Sequence, residues 1–277
     1  MEERQKVVLS SASLALVAFS WGTSYAIIKD TLTSVTPFFL MMLRFGLSTV
    51  LLGLVYNKKL LRIKRKDLQR GSVIGIFMFF SFFTLVTGIQ YTTASKQSFL
   101  VGSYVLIVPF LAWMINRKKP DRYAIAGAAL ATAGLALLTL GGADRFGRGD
   151  LISLFCALSF ALHMITIERY SKDSDPILLT IVQFAVTALI FTVLAGIWEG
   201  YDFSAISKVR ISVAYLVIVA TVIAFVVQNV AQRYISSTST ALILTLEAAF
   251  GSVFAVLYLK ETMTSAMILG CFIVLVG

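Results

Sequence analysis

One histidine and two cysteines are all that this chain offers as soft metal ligands. A single imidazole cannot build a zinc cluster, so no metal site is expected. Cys156 and Cys271 both fall inside apolar runs and read as small packing residues, not as a disulfide framework. Charged side chains are scarce, at 14% of 277 residues. A soluble domain of this size needs far more polar surface. No Walker A loop, HExxH pair or Rossmann fingerprint occurs. The sequence therefore offers no catalytic residue, no metal site and no cofactor site, and an enzyme is not expected.

What the chain has instead is apolar length. It is 58% hydrophobic, and about 20 apolar residues suffice for a helix to cross the hydrocarbon core. Such runs cover roughly 8–28, 37–56, 71–91, 94–115, 122–140, 150–170, 176–198, 211–232, 236–258 and 263–277. The last is short and stops at Gly277. Runs this numerous, joined by short loops, cannot all be cores of one soluble domain. Barrel strands would be about 10 residues long and alternating. The expected fold class is an all-α integral membrane protein with ten transmembrane helices. The first run follows a polar start, Met1 to Lys6, and is too long for a signal-peptide core, so it is read as retained.

A formal net charge of +10 would suggest nucleic acid in a soluble protein. Here its placement speaks for orientation, and no nucleic-acid partner is expected. With the N-terminus inside, the inner segments hold Lys58, Lys59, Arg62, Lys64, Arg65, Lys66 and Arg70. They also hold Arg4, Lys6, Arg117, Lys118, Lys119, Arg122, Arg169, Lys172 and Arg233. The outer segments hold only Lys29, Lys96, Arg145, Arg148, Lys208, Arg210 and Lys260. This bias predicts cytoplasmic N- and C-termini in the inner membrane. The 58–70 stretch reads as a topology signal, or as a contact for anionic lipid heads.

The second half of the chain echoes the first. Sliding the sequence along itself lays Ser20-Trp21-Gly22 on Ser159-Phe160-Ala161, Pro37 on Pro176 and Phe45 on Phe184. Each proline opens a helix after a capping residue, Thr36 or Asp175. Past the loop between the seventh and eighth runs the offset lengthens slightly. Phe82 then meets Phe225, Tyr91 meets Tyr234, Gly127 meets Gly270 and Gly134 meets Gly277. The expected units are 1–145 and 146–277. An odd number of spans per unit inverts the second unit relative to the first. Inverted repeats are typical of secondary transporters, whose substrate site lies near the midplane.

Polar groups inside apolar spans are costly and mark pathways or partners. The repeat superposes Ser24 on His163, Arg44 on Gln183 and Tyr104 on Glu247. Tyr104 and Glu247 lie nearest mid-helix, which places the expected substrate cavity there. A carboxyl at that depth suits carrying a proton or meeting a substrate amine. It equally suits a structural pairing with a helix backbone or with Arg44. His163, with an imidazole that ordinarily titrates near neutrality, is a second candidate for proton coupling or a hydrogen-bonded packing residue. Arg44 lies within snorkelling distance of the outer interface and reads as an anchor or ion-pair partner. Trp21, Ser24 and Tyr25 interrupt the first run and are candidates for a cavity wall, with plain packing as the alternative. Thr84, Thr87 and Tyr91 share one face, and Gln228 and Gln232 another; either stripe lines a path or bonds between helices.

Gly147-Arg148-Gly149-Asp150 has the GxGD spelling of an intramembrane aspartyl protease, with Tyr201-Asp202 as an apparent YD. The order is reversed, however, and both motifs fall in loops, so no acid pair is left to activate water. The resemblance that holds along the whole chain is to the EamA-type members of the drug/metabolite transporter superfamily. It is carried by Ser20-Trp21-Gly22, Pro37 through Arg44-Phe45, Tyr91-Thr92-Thr93-Ala94-Ser95 and Ala161-Leu162-His163. Gln228, Ser237-Thr238-Ser239-Thr240-Ala241, Leu246-Glu247 and Lys260-Glu261-Thr262 complete it. Many members have Glu-Pro where this chain has Glu247-Ala248, so the ninth helix is expected to bend less.

The resemblance implies inverted five-helix repeats around a central cavity, and export or exchange of small metabolites. The expected function is an inner-membrane secondary transporter, an exporter of amino acids or related compounds by alternating access. The expected cavity residues are Trp21, Ser24, Tyr25, Thr84, Tyr104, His163, Gln228 and Glu247. A lipid or lipid-linked-sugar flippase on the same scaffold is the alternative. The partners implied are a small-molecule substrate and the bilayer, and the sequence allows a monomer.

Overall fold

The computed structural model describes residues 3–116, 122–140, 146–262 and 265–276. Arg117, Lys118, Lys119, Arg145, Gly277 and the side chain of Cys271 lie outside what it describes. All regular structure among the described residues is helical. In chain order the longer helices are α1 (Glu3–Thr31), α2 (Pro37–Val55), α3 (Arg65–Gly88), α4 in two pieces (Ala94–Gly102 and Tyr104–Asn116) and α5 (Arg122–Leu140). There follow α6 (Arg148–Ser171), α7 (Pro176–Trp198), α8, α9 in two pieces (Ser237–Leu244 and Leu246–Leu259) and α10 (Ser265–Val276). Helix α8 runs through Ile206–Val217, a π-helical stretch Ile218–Ile223, and Ala224–Ala231. Among the described residues, 8 helical stretches are long and apolar enough to cross a membrane, namely all of these except α5 and α10. Exposed Leu16, Leu54, Leu189 and Leu257 give them the apolar outer surface that a bilayer requires.

Helix ends are set by polar groups that hydropathy does not register. Helix α3 begins at Arg65 rather than at 71, because Asp67 accepts the Lys64 N–H (3.2 Å) and carries the helix beyond its apolar run. Of the two expected proline caps only one is local. Asp175 Oδ1 accepts the Ile177 N–H (2.9 Å) and opens α7. Thr36 makes no such bond. The N-terminus of α2 is capped instead by Glu199, at the far end of α7, which accepts from Phe38 N (2.9 Å) and Phe39 N (3.0 Å). A carboxylate placed on unpaired helical N–H groups satisfies them and complements the helix dipole.

Asp175 also receives Lys59 Nζ at 2.7 Å. Partial burial opposes its charge, but the Lys59 ammonium and the helix N–H groups prevail and hold its carboxyl below the ordinary range. The stabilisation is therefore present above the ordinary carboxylate pKa and fades as pH falls through the lower folded value. Solvent screening keeps the Lys59 share small, so the cap carries most of it. Asp175→Ala is expected to cost about 1 kcal/mol, read as a lower melting temperature in detergent at pH 7. An unchanged melt would show that the cap is dispensable.

The two halves of the chain do not form separate bodies. The most extensive packing runs between them: α1 on α9, α3 on α6 and α7, α2 on α7, and α5 on α10. Helix α4 in turn lies against α6 and α9. One apolar core joins the helices of both halves. Gly127, Gly134 and Gly270 are buried along α5 and α10, where small residues allow close helix approach. Helices α1 and α9 come into backbone contact at Gly22 and Gly251. A Cβ on Gly22 would stand 2.7 Å from the Glu247 carbonyl oxygen and 2.8 Å from the Gly251 nitrogen. That contact sets the depth of Glu247 against α1.

Candidate functional site

Two interrupted helices meet at the centre. Helix α4 breaks at Ser103, just before Tyr104, and α9 breaks at Thr245, just before Leu246-Glu247. At each break a hydroxyl turns back on its own helix: Ser103 Oγ donates to Leu100 O (2.6 Å) and Thr245 Oγ1 to Ala241 O (2.7 Å). Such bonds compete with the helical ladder and bend helices. In α9 the interruption falls at Thr245, two residues before Glu247, with no proline after Glu247.

Beside these breaks lies a small cavity of ≈ 30 Å³, room for about one water molecule. Its walls are aromatic: Trp21, Tyr25, Phe82, Phe160 and Phe225. Ser24, Ser81, Leu85, Val101 and Cys156 fill the gaps, and Arg44 and Glu247 are its ionisable groups. Among the described residues these two form no ion pair within 4.0 Å. Glu247 Oε1 and Arg44 Nη1 are both buried without a hydrogen-bond partner.

The position of Arg44 corrects the sequence reading. It is 1% exposed and neither snorkels nor pairs with Glu247. Its receptor is the π-helical stretch of α8. There the Ala224 N–H reaches back to Val219 O, not to Ala220 O as in an α-helix, which leaves the Ala220 carbonyl free to accept from outside. Arg44 Nη2 donates to it at 3.0 Å, and Trp21 Nε1 does so at 3.0 Å. Arg44 Nε donates to Thr221 Oγ1 at 2.6 Å. The guanidinium also lies 4.8 Å from the centre of the Phe82 ring, a cation–π contact. These contacts hold two arms of the fork, while Nη1 stays unused.

Of the expected cavity residues, Trp21, Ser24, Tyr25 and Glu247 line this one space. Tyr104, fully buried against Phe160 at 5.4 Å between ring centres, stands behind the wall with its hydroxyl turned to the Glu247 carboxyl. His163 lies behind the same wall, stacked on Phe160 at 5.4 Å, and its Nε2 meets Gln183 Oε1 at 2.8 Å. Gln228 is buried with neither amide atom partnered, and does not line the cavity. Gln232 bonds between helices, from Nε2 to Met164 O (2.9 Å). Thr84 bonds to its own helix at Phe80 O (2.7 Å) and leaves the cavity to Ser81, Phe82 and Leu85. Tyr91 lies past the end of α3 and is exposed, so the expected Thr84, Thr87 and Tyr91 stripe is not continuous. The repeat carried a signal for the walls: Trp21 superposes on Phe160, and Phe82 on Phe225.

The sequence profile described as "EamA-like transporter family" matches residues 9–140 and 147–277. An uncharacterized transporter of Archaeoglobus fulgidus is 30% identical over 276 residues, covering 99% of this chain and 86% of the relative. A second uncharacterized transporter of that organism is 26% identical, covering 90% of this chain and 88% of its own. A WAT1-related chloroplastic protein of Arabidopsis thaliana is 26% identical over 94% of this chain and 66% of its own length. A solved crystal structure superposes with a TM-score of 0.71 at 17% identity, over 95% of this chain and 94% of the other. That last likeness is one of fold alone.

Proposed function

The chain belongs to the EamA-like transporter family of the drug/metabolite transporter superfamily, and from that premise we propose that it carries amino acids or closely related zwitterions by alternating access through the central cavity. The observation that supports the substrate class is the pair of unused poles. Arg44 Nη1 offers a donor for a carboxylate, and Glu247 Oε1 an acceptor for an ammonium. Aromatic walls between them suit an apolar side chain. In a dry site, charge-assisted hydrogen bonds of this kind are the strong ones. A cavity of ≈ 30 Å³ holds no amino acid, so binding requires the walls to part. The breaks at Ser103 and Thr245 and the π-helical stretch of α8 are the places where helices yield most readily. Glu247 is also the group placed to exchange a proton for the substrate ammonium, with His163 as the second candidate. Export is the direction that the family resemblance suggests.

Ten crossings in two inverted repeats, with α5 and α10 completing the set, are part of the same proposal. A side chain near a two-fold axis meets its own counterpart, and several pairs do so. Trp21 and Phe160 lie 5.4 Å apart, Phe45 and Phe184 5.8 Å, and Phe82 and Phe225 6.0 Å between ring centres. The loops behave alike. Lys29 at the end of α1 donates to Thr92 O ahead of α4, and its counterpart Glu168 at the end of α6 accepts from Ser237 N at the start of α9 (2.8 Å). Charge bias supports cytoplasmic termini in the inner membrane.

Counterflow in proteoliposomes loaded with a pooled amino-acid set tests this reading. Intact amino acids are expected to compete for uptake at least tenfold better than their methyl esters, which lack the carboxylate, or their deaminated acids. Equal competition by all three would sink the two-pole reading. Scrambling of labelled lipid without amino-acid uptake would favour the flippase instead.

A further inference from the structure

Two open pockets lie side by side on the face that carries the loops after α2, α6 and α8. The first is a basin of ≈ 600 Å³ with six cations around it: Lys59, Arg62, Lys64, Lys66, Lys172 and Arg233. Its three acids are already engaged. Asp175 takes Lys59 (2.7 Å), Asp173 faces Arg70 (3.8 Å), and Asp67 accepts the Lys64 N–H (3.2 Å). Among the described residues Arg62, Lys64 and Arg233 have no ion-pair partner. The second pocket is a groove of ≈ 380 Å³ between α1 and the end of α8, walled by Leu9, Val226 and Val227. Val230 and Tyr234 line both pockets, so the basin and the groove adjoin. Lys6 Nζ sits 5.4 Å from the centre of the Tyr234 ring, at the junction.

We propose that this is a binding site for one anionic phospholipid, with its phosphate in the basin and an acyl chain in the groove. The surplus of cations selects a net negative head, since Lys and Arg at a membrane surface attract anionic lipid. The groove selects a tail. Leu9 and Val230 are exposed, and in a membrane protein exposed apolar side chains beside the headgroup level face hydrocarbon. A zwitterionic lipid would leave the basin's charge unmatched, and a free phosphate would leave the groove unfilled.

Native mass spectrometry of the purified full chain in detergent tests the site with dioleoyl-phosphatidylglycerol, dioleoyl-phosphatidylcholine and free glycerol phosphate. The expected result is at least tenfold preference for phosphatidylglycerol over both. That preference should disappear in the combined variant Arg62→Gln, Lys64→Gln, Arg233→Gln. Ser13→Phe, which fills the groove from α1, should weaken phosphatidylglycerol binding several-fold. Equal retention of phosphatidylcholine would overturn the proposal in favour of nonspecific boundary lipid. Tight glycerol phosphate binding that Ser13→Phe leaves untouched would overturn it in favour of a soluble anion. Size-exclusion profiles check that the variants fold, and Arg233→Gln alone replaces the combined variant if that one does not.

Discussion

Glu247→Gln is expected to cut saturable amino-acid counterflow about thirtyfold or more while leaving the protein folded. The substitution keeps the shape of the side chain and removes its capacity to ionise. Fold stability has little at stake, because glutamine keeps an acceptor oxygen for the Tyr104 hydroxyl that faces this carboxyl. Transport has much more. Removing one member of a buried charge pair costs about 2–5 kcal/mol, and the lower bound already corresponds to roughly thirtyfold. Counterflow separates the two roles open to this carboxyl, because exchange at equal pH needs substrate binding but no net proton movement. A carboxyl that holds the ammonium predicts loss of exchange. One that only couples protons predicts normal exchange in Glu247→Gln with the response to an imposed pH gradient abolished. Full exchange together with a full pH response would remove Glu247 from the site altogether.

A methyl group at Gly22 is expected to have the largest effect on stability. The Cβ of Gly22→Ala would meet the Glu247 carbonyl oxygen at 2.7 Å, the Phe250 Cβ at 2.7 Å and the Gly251 nitrogen at 2.8 Å. Two of these are backbone atoms and cannot swing aside, so α1 and α9 must separate. Overpacking of this kind costs about 1–3 kcal/mol, read as a lower melting temperature and a smaller folded fraction in detergent. Because the same contact fixes Glu247 against α1, transport by the surviving protein should fall as well. Gly46→Ala is the control. A Cβ there meets nothing within 4 Å, and alanine in a helix is expected to be neutral or mildly stabilising. If both variants melt with the parent protein, the close crossing of α1 and α9 does not govern stability.

Aromatic wall positions were legible wherever the repeat was. Trp21 and Phe160, like Phe82 and Phe225, superpose in sequence and meet across the cavity. The pairing of His163 with Gln183 also joins two residues that the repeat had marked, as the counterparts of Ser24 and Arg44. What the repeat could not give was direction. It marks Arg44 as unusual without saying whether the side chain turns outward or inward.

The sequence by itself determined where apolar helices run, since the need for about 20 apolar residues per crossing is local and leaves a local trace. It also determined the family, through motifs spread in order along the whole chain. Only the tertiary structure decided the polar partnerships. Glu199 caps α2 from the far end of α7. Thr245 breaks α9 where no proline stands. A one-residue widening of α8 frees the Ala220 carbonyl and draws Arg44 and Trp21 to it. Each of these is a hydrogen bond satisfied at a distance or by a small change of helical pitch. Inside a membrane protein a buried polar group takes whichever partner the packing brings, and the packing is a property of the assembled helices, not of any one of them.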